Sequence, residues 1–311
     1  MADFVIIPDS SSDMVRELRE RFDIPDYTPG VIVLPNGVAE TVDMDWQNHD
    51  PAAFYESMSG KNALYKTACA PLGEVIAVYE KQLAQGKDVL AISLSSGLSA
   101  TYQGCQMAAK ELMEKYPDRK IICVDSLRYS GAIALLTILA AQKRDSGATL
   151  EETAAYLEEI RHCIHQMGYM DDLFFLVKTK RVSSFKALFG TMVGLNILAD
   201  FNRQGMSHVL AKVKGKKTSL QATLDYVEQT ATQPREQIMI VAHSNRKEAA
   251  LQLADQIKQR LQPKEIIMLN VGMSCGASIG PGLCAVYYVG QPVSQTMEQE
   301  AALLNKILEK K

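Results

Sequence analysis

Short apolar runs that end in polar, serine-bearing breaks recur three times in the first half of the chain, and each is followed by a stretch of helical period. Phe4 to Pro8, FVIIP, is closed by Asp9-Ser10-Ser11-Ser12-Asp13, and the amphipathic MVRELRERF comes next. DVLAISL runs into Ser95-Ser96-Gly97 and then SATYQGCQMAAKELMEKY, while KIICVD runs into Ser126 and then GAIALLTILAAQKR. A brief apolar run bounded by turn residues reads as a buried strand, so the pattern predicts three β-loop-α units. Such units build a parallel sheet with right-handed crossovers. In that architecture ligands sit beyond the carboxyl ends of the strands, where these serine loops fall.

The remaining segments fill in around this frame. VIVLPNGV, with Pro-Asn-Gly between apolar flanks, predicts a hairpin beside the main sheet. Asp50-Pro51 opens a helix with the acid at N-cap and proline at N1, and Pro71 opens another that Gly86 can stop. Thr149-Leu150-Glu151-Glu152 is a capping box opening the helix TAAYLEEIRHCIHQM, and it marks a boundary after Gly147. Beyond it come DLFFLVK, a glycine-punctuated stretch from Lys186 to Asn196, a hairpin in ILADFNRQGMSHVLAKV and the helix SLQATLDYVEQTA. A βαβ unit follows in QIMIVAHS, NRKEAALQLADQIKQRL and EIIMLNVG, then a Gly-rich turn, the strand LCAVYYV and a last helix from about Pro292. The fold class is α/β with two domains, 1–148 and 149–311, the first with a parallel sheet and the second with a mixed one.

Composition narrows the function classes. The 311 residues are 47% hydrophobic and 22% charged, which is ordinary globular usage and argues against disorder or a coiled-coil rod. With 33 basic and 36 acidic side chains the net charge is −3, so no global positive field draws a polyanion, and nucleic acid is not an expected partner. The start of the chain has no basic n-region or signal h-region, and no stretch has the length of apolar sequence that spans a bilayer. A cytoplasmic protein is expected. Its six scattered cysteines carry no metal spacing and read as reduced thiols. Fourteen methionines against only 7% aromatics suit either core packing or an irregular apolar cavity.

Several motifs bear on chemistry. Hydroxyls and free amides at a helix N-terminus form an anion site, and three such loops at one sheet edge imply capping plus a shared anion site. None carries G-x-G-x-x-G or G-K-[ST], so a nucleotide is not the expected anion. Gly272-Met273-Ser274-Cys275-Gly276 matches G-x-S-x-G, but the sequence after it reads as turn then strand and the last histidine, His243, precedes it, so a nucleophile elbow is disfavoured. His162 and His165 would share a helix face at i and i+3 without evident further ligands, and solvated histidines are the plainer reading. Lys214, Lys216 and Lys217 around Gly215 read as a solvated turn or a contact for an acidic or phosphate partner. Gly280-Pro281-Gly282 makes a turn and also lets something approach the backbone closely.

Taken in order, these pieces resemble the DegV family of bacterial fatty-acid-binding proteins, which includes the carrier subunit of fatty acid kinase. The matching residues are Asp9 to Asp13, Thr67 before Pro71, Ile92 to Gln103 (ISLSSGLSATYQ), Val124 to Ser126 with Gly131, Lys180 to Ser183 with Leu195-Asn196-Ile197, His243 to Asn245, and Gly280 to Gly282. The resemblance implies a long-chain fatty acid such as palmitate, stearate or oleate between the two domains. Its carboxylate would be held by Thr67, Ser95, Ser96 and Gly97, with Ser278 and Gly282 contributing. It also implies a carrier without catalytic residues, metal or cofactor, which presents the carboxylate to a separate ATP-binding kinase subunit through a face that includes Arg181.

The sequence departs from that family at three points. T-S-Q-P becomes Thr67-Ala68-Cys69-Ala70-Pro71, G-G-R-I becomes Thr179-Lys180-Arg181-Val182, and the histidine two residues before G-P-G is Ser278. The physics of the implied ligand is consistent: burying ten methylenes supplies roughly 8 kcal/mol before losses, and the carboxylate needs hydrogen-bond donors. On this reading Met170, Met192, Met206 and Met273 are candidates to line an acyl cavity. The alternatives are a binder of another small carboxylate or phosphate ligand, and a hydrolase or transferase using Ser274 or a thiol.

Overall fold

The structure, a computed structural model, describes residues 4–59, 63–172, 174–179 and 195–310. Arg181 and Met192 lie outside the described residues. Chain contacts divide the molecule into two compact units: Met1–His49, Tyr65–Arg161 and Gly272–Ala277 form one, and Asp50–Leu64, His162–Val271 and Ser278–Lys311 form the other.

In the first unit β1 (Phe4–Pro8), β5 (Asp88–Ser93) and β6 (Ile121–Asp125) pair in parallel in the order β1-β5-β6. Their connecting helices explain the parallel pairing. Helices α3 (Leu72–Leu83) and α4 (Thr101–Lys115) share an apolar cluster with Val5, Ile7, Val89, Ala91 and Ile121, the alternate residues of the strands. On the sheet's other face α5 (Gly131–Asp145) packs on β1 and β5, which accounts for its almost uninterrupted apolar run. The short helix α1 (Arg16–Arg21) follows the first serine loop. The expected hairpin, β2 (Val31–Val33) and β3 (Ala39–Thr41), gains a third strand, β4 (Lys66–Ala68), on its other edge.

Helix α6 (Leu150–Ile160) opens on the expected capping box: Glu152 N donates to Thr149 Oγ1 at 3.2 Å, and Thr149 N to Glu152 Oε2 at 2.8 Å. It was expected to open the second domain at 149. Instead it packs on α5, β5 and β6, and the chain crosses to the second unit at 161/162. It also ends earlier than its periodicity predicts. His162 lies in a single 3-10 turn and His165 in a strand, so the two imidazoles do not share a helix face.

The second unit holds a six-stranded mixed sheet. Its strands are β7 (Ile164–Met170), β8 (Leu195–Phe201), β9 (Ser207–Lys214), β10 (Ile238–His243), β11 (Glu265–Asn270) and β12 (Leu283–Val289), in the order β11-β10-β12-β7-β8-β9. Only β10 and β11 pair in parallel, joined by α9 (Lys247–Arg260) as the βαβ pattern predicts. Helices α8 (Lys216–Thr230), α9 and α11 (Glu298–Leu308) cover one face over Met167, Tyr169, Met239, Val241, Val286 and Tyr288. The unit also includes α2 (Pro51–Ser59), where Ala53 N donates to the Asp50 carboxylate at 2.8 Å, and α7 (Phe174–Thr179). The expected Gly-rich turn after β11 is in fact a helix, α10 (Met273–Ile279), whose first residues group with the first unit.

Candidate functional site

Parallel pairing brings the three serine loops to one edge of the first unit's sheet, with Pro8 beside Ile92 and Ser93 beside Asp125. There the chain's own carboxylates take four backbone donors, and carbonyls and serine hydroxyls take others. Asp9 Oδ2 accepts from Leu94 N at 2.6 Å, and Asp9 Oδ1 accepts from Ser11 N at 2.8 Å and from the Ser11 hydroxyl. Asp125 Oδ1 accepts from Ser96 N at 3.1 Å and Leu127 N at 3.0 Å, and Ser95 Oγ accepts from Gly97 N at 3.1 Å. Amides expected to await an anion are therefore largely capped, because buried donors must be paired and acids at the strand ends are within reach. Ser96 and Thr67 are half-buried, and neither hydroxyl makes a hydrogen bond among the described residues.

Thr67 is placed by β4, where it pairs with Ile32. Gly30 allows this small sheet to close on the first serine loop: a Cβ there would stand 2.7 Å from Ser10 Oγ and 3.6 Å from the Ala68 carbonyl. Beside Thr67, Cys69 is exposed, in keeping with its place in the loop rather than the core. Ser95 is fully buried, Ser96 half-buried and Gly97 exposed, so the loop emerges step by step.

Asp13 was not singled out by the sequence as a site residue, although it closes the D-S-S-S-D motif. Its carboxylate is buried at 1% exposure, accepts from Ser130 Oγ at 2.5 Å and from Gly272 N at 2.9 Å, and its backbone sits at φ 56°. Burial pushes its pKa up to about 7, opposed by the Ser130 and Gly272 hydrogen bonds and aided by the charge of Asp9. The Asp9 carboxyl is raised as well, again by burial and against the Leu94 and Ser11 donors. By accepting from Gly272 N, Asp13 sets a carboxylate against the residue just before α10, where negative charge favours the positive end of a helix.

In the second unit Ser278 and Gly282 are buried. The Ser278 carbonyl accepts from Thr179 Oγ1 at 3.1 Å. Gly282 has φ 118°, and a Cβ on it would lie 2.6 Å from Asp171 Oδ1 and 2.9 Å from Asp172 N, while a Cβ on Gly280 would strike the Phe175 ring. The close approach foreseen at G-P-G is thus made by the chain itself. Asp171 in turn takes both Arg246 Nε, at 2.8 Å, and Nη2, at 2.6 Å, and Lys216 Nζ lies 3.3 Å away, so one lysine of the basic run has an internal partner.

Among the described residues neither the serine nor the two-histidine constellation assembles. Although a helix does follow Ser274, contrary to the sequence reading, that side chain has no histidine hydrogen bond among the described residues, and His243 Nδ1 accepts from Arg246 N in its own loop. His165 is buried, with Nδ1 2.5 Å from Asp200 Oδ2 and Nε2 2.8 Å from the Gln291 carbonyl, while its ring stacks on Tyr288. Burial alone would raise the Asp200 carboxyl, but His165 and the Gln166 and Phe201 amides hold it below the usual range. That buried pair is a structural pin that the sequence did not reveal. Among the described residues no His/Cys/Asp/Glu group is arranged to hold a metal ion, and no helix is long and apolar enough to cross a membrane.

Residues 3–291 match the family described as "DegV family COG1307". The chain belongs to the DegV family. A DegV domain-containing protein of Clostridium perfringens is 30% identical over 290 residues, covering 93% of this chain and 98% of its own length. Among solved structures, a DegV family protein from Thermus thermophilus, described as fatty acid binding, is similar with a TM-score of 0.82 at 22% identity, covering 93% of this chain and 99% of its own. The fatty acid kinase B3 protein of Streptococcus pneumoniae, loaded with linoleic acid, has a TM-score of 0.78 at 20% identity over 94% of this chain and 100% of its own. These likenesses establish a DegV fold, two α/β units with a parallel and a mixed sheet.

Proposed function

We propose that this DegV protein binds a long-chain fatty acid such as palmitate, stearate or oleate, its carboxylate held by Thr67 and the Ser95-Ser96-Gly97 loop. The observation that carries this reading is the division of labour at the loop. Internal acceptors occupy its amides, the Arg128 carbonyl for Ser95 N, Asp125 for Ser96 N and Ser95 Oγ for Gly97 N, while the hydroxyls of Ser96 and Thr67 stand half-buried and unengaged among the described residues. Short neutral donors suit a ligand whose alkyl tail supplies affinity at about 0.8 kcal/mol per buried methylene and whose head needs orientation. The fatty acid binding described for the Thermus protein and the linoleic acid of the Streptococcus structure support the choice of ligand class. Ser278 and Gly282 are assigned to the ligand by family resemblance, as is Arg181 to a partner's face. We further propose that the bound carboxylate is presented to a separate ATP-binding kinase subunit, which forms the acyl phosphate, so that the chain itself needs no nucleophile.

Titration of delipidated protein with palmitate tests this. Saturable binding is expected, weakened roughly three- to tenfold in Thr67→Val and Ser96→Ala, the scale of one hydrogen bond each. Absence of saturable binding would remove the reading. Unchanged affinity in both variants, with Ser95→Ala and Ser278→Ala alongside, would remove the site assignment only.

A further inference from the structure

The serine loop that is proposed to take the ligand carboxylate rests on buried acids. Asp9 Oδ2 holds Leu94 N at 2.6 Å, one residue before Ser95, and Asp125 Oδ1 holds Ser96 N at 3.1 Å. Asp13, which feels the charge of Asp9, is buried and accepts from Ser130 and Gly272. Under Asp9, Tyr79 of α3 and Cys105 of α4 are buried and neutral, their protons held by desolvation. Cys275, one turn beyond Gly272, donates its thiol to the Ser11 carbonyl at 3.5 Å. Two cations lie nearby: Arg128 Nη1 donates to Leu127 O and Arg161 Nη1 to Asp125 O, each at 2.7 Å. A further carboxylate brought to this loop would add its charge to a place that already holds three acids beside these two guanidinium groups.

We propose that binding of the fatty-acid carboxylate at the Ser95-Ser96 loop is coupled to uptake of about one proton from solvent by the Asp9–Asp13 pair. This inference rests on the fatty-acid reading above and adds its regulation: the site fills more readily as pH falls. The geometry supplies the means. Each acid of the pair is buried and has hydroxyl neighbours, Ser11 for Asp9 and Ser130 for Asp13, that can accept a proton's hydrogen bond as well as donate one. Burial already raises both carboxyls, that of Asp13 to about 7, so a new neighbouring charge acts on a pair of which Asp13 is poised to titrate near neutrality.

The test is calorimetric titration of the delipidated full chain with oleate in phosphate and in Tris at pH 8, together with dissociation constants from pH 6 to 8.5. The proposal expects enthalpies that differ between buffers by about one proton's ionisation heat. It also expects a dissociation constant that is flat near pH 6 and rises by up to about tenfold per pH unit above 7. Asp13→Asn should shrink both effects while still binding. Equal enthalpies in the two buffers with a flat profile in the wild-type protein would overturn the coupling and leave the fatty-acid reading standing. A slope fully retained in Asp13→Asn would overturn its assignment to the pair. Absence of oleate binding at any pH would overturn the fatty-acid reading and the coupling together.

Discussion

At the scale of single residues, the acids of the first serine loop decide more than its serines do. Asp13 is a buried carboxylate whose folded-state pKa lies near 7, above its ordinary value, so the native state holds an extra proton between about pH 4 and 7. Stability from this group is therefore greatest below that window and falls as pH rises through it, by up to roughly 4 kcal/mol. Asp13→Asn, which keeps the shape and suits the positive φ, should flatten the fall; urea unfolding of ligand-free protein at pH 5 and pH 7.5 reads the difference. Equal slopes in the two proteins would contradict the assignment. The sequence displayed these acids in plain view beside the serines. Their role stayed hidden because pairing Asp9 with Leu94 and Asp13 with Gly272 depends on contacts between residues 85 and 259 positions apart.

At the scale of elements, local chemistry was a good guide wherever a local device sets the boundary. The Thr149 capping box, the Asp50 cap and the Asn36-Gly37 turn are all formed as read. Thr149→Ala should cost about 1 kcal/mol of stability, measured by denaturant unfolding, since it strips the acceptor from Glu152 N. Local reading failed where tertiary pairing overrides propensity. His162 to Met167 continues a helical period, yet β7 forms because its backbone is paired on both sides, by β12 and β8. Gly168 shows how tight that pairing is: a Cβ there would meet Ala285 Cβ at 2.5 Å and the Cys284 carbonyl at 2.6 Å. Gly168→Ala should therefore destabilise the protein by several kcal/mol, against a surface alanine substitution within about half a kcal/mol. The α10 segment was misread too, and the residue before it, Gly272, is held by a carboxylate from the other end of the chain.

At the scale of the whole molecule, order of motifs carried the fold further than any one motif. D-S-S-S-D and the I-S-L-S-S-G string fall at the carboxyl ends of β1 and β5, G-P-G leads into β12 with Gly282 N donating to Ser244 O just past β10, and the family match over residues 3–291 agrees with that order. The candidate site was legible as hydroxyls at one edge of a parallel sheet, and the internal pairing of its amides was not, because that depends on which strands become neighbours. A ligand that binds only the folded chain should raise its stability by about 2.7 kcal/mol at a hundredfold excess over the dissociation constant, visible as a higher melting temperature on adding oleate to delipidated protein. The most direct test of the central claim is native mass spectrometry of the protein as purified, followed by denaturing extraction. A retained mass equal to a C16 to C18 fatty acid, released on denaturation, is the result expected. A polar carboxylate or phosphate compound in its place, or a bare chain that takes up no palmitate on incubation, would contradict it.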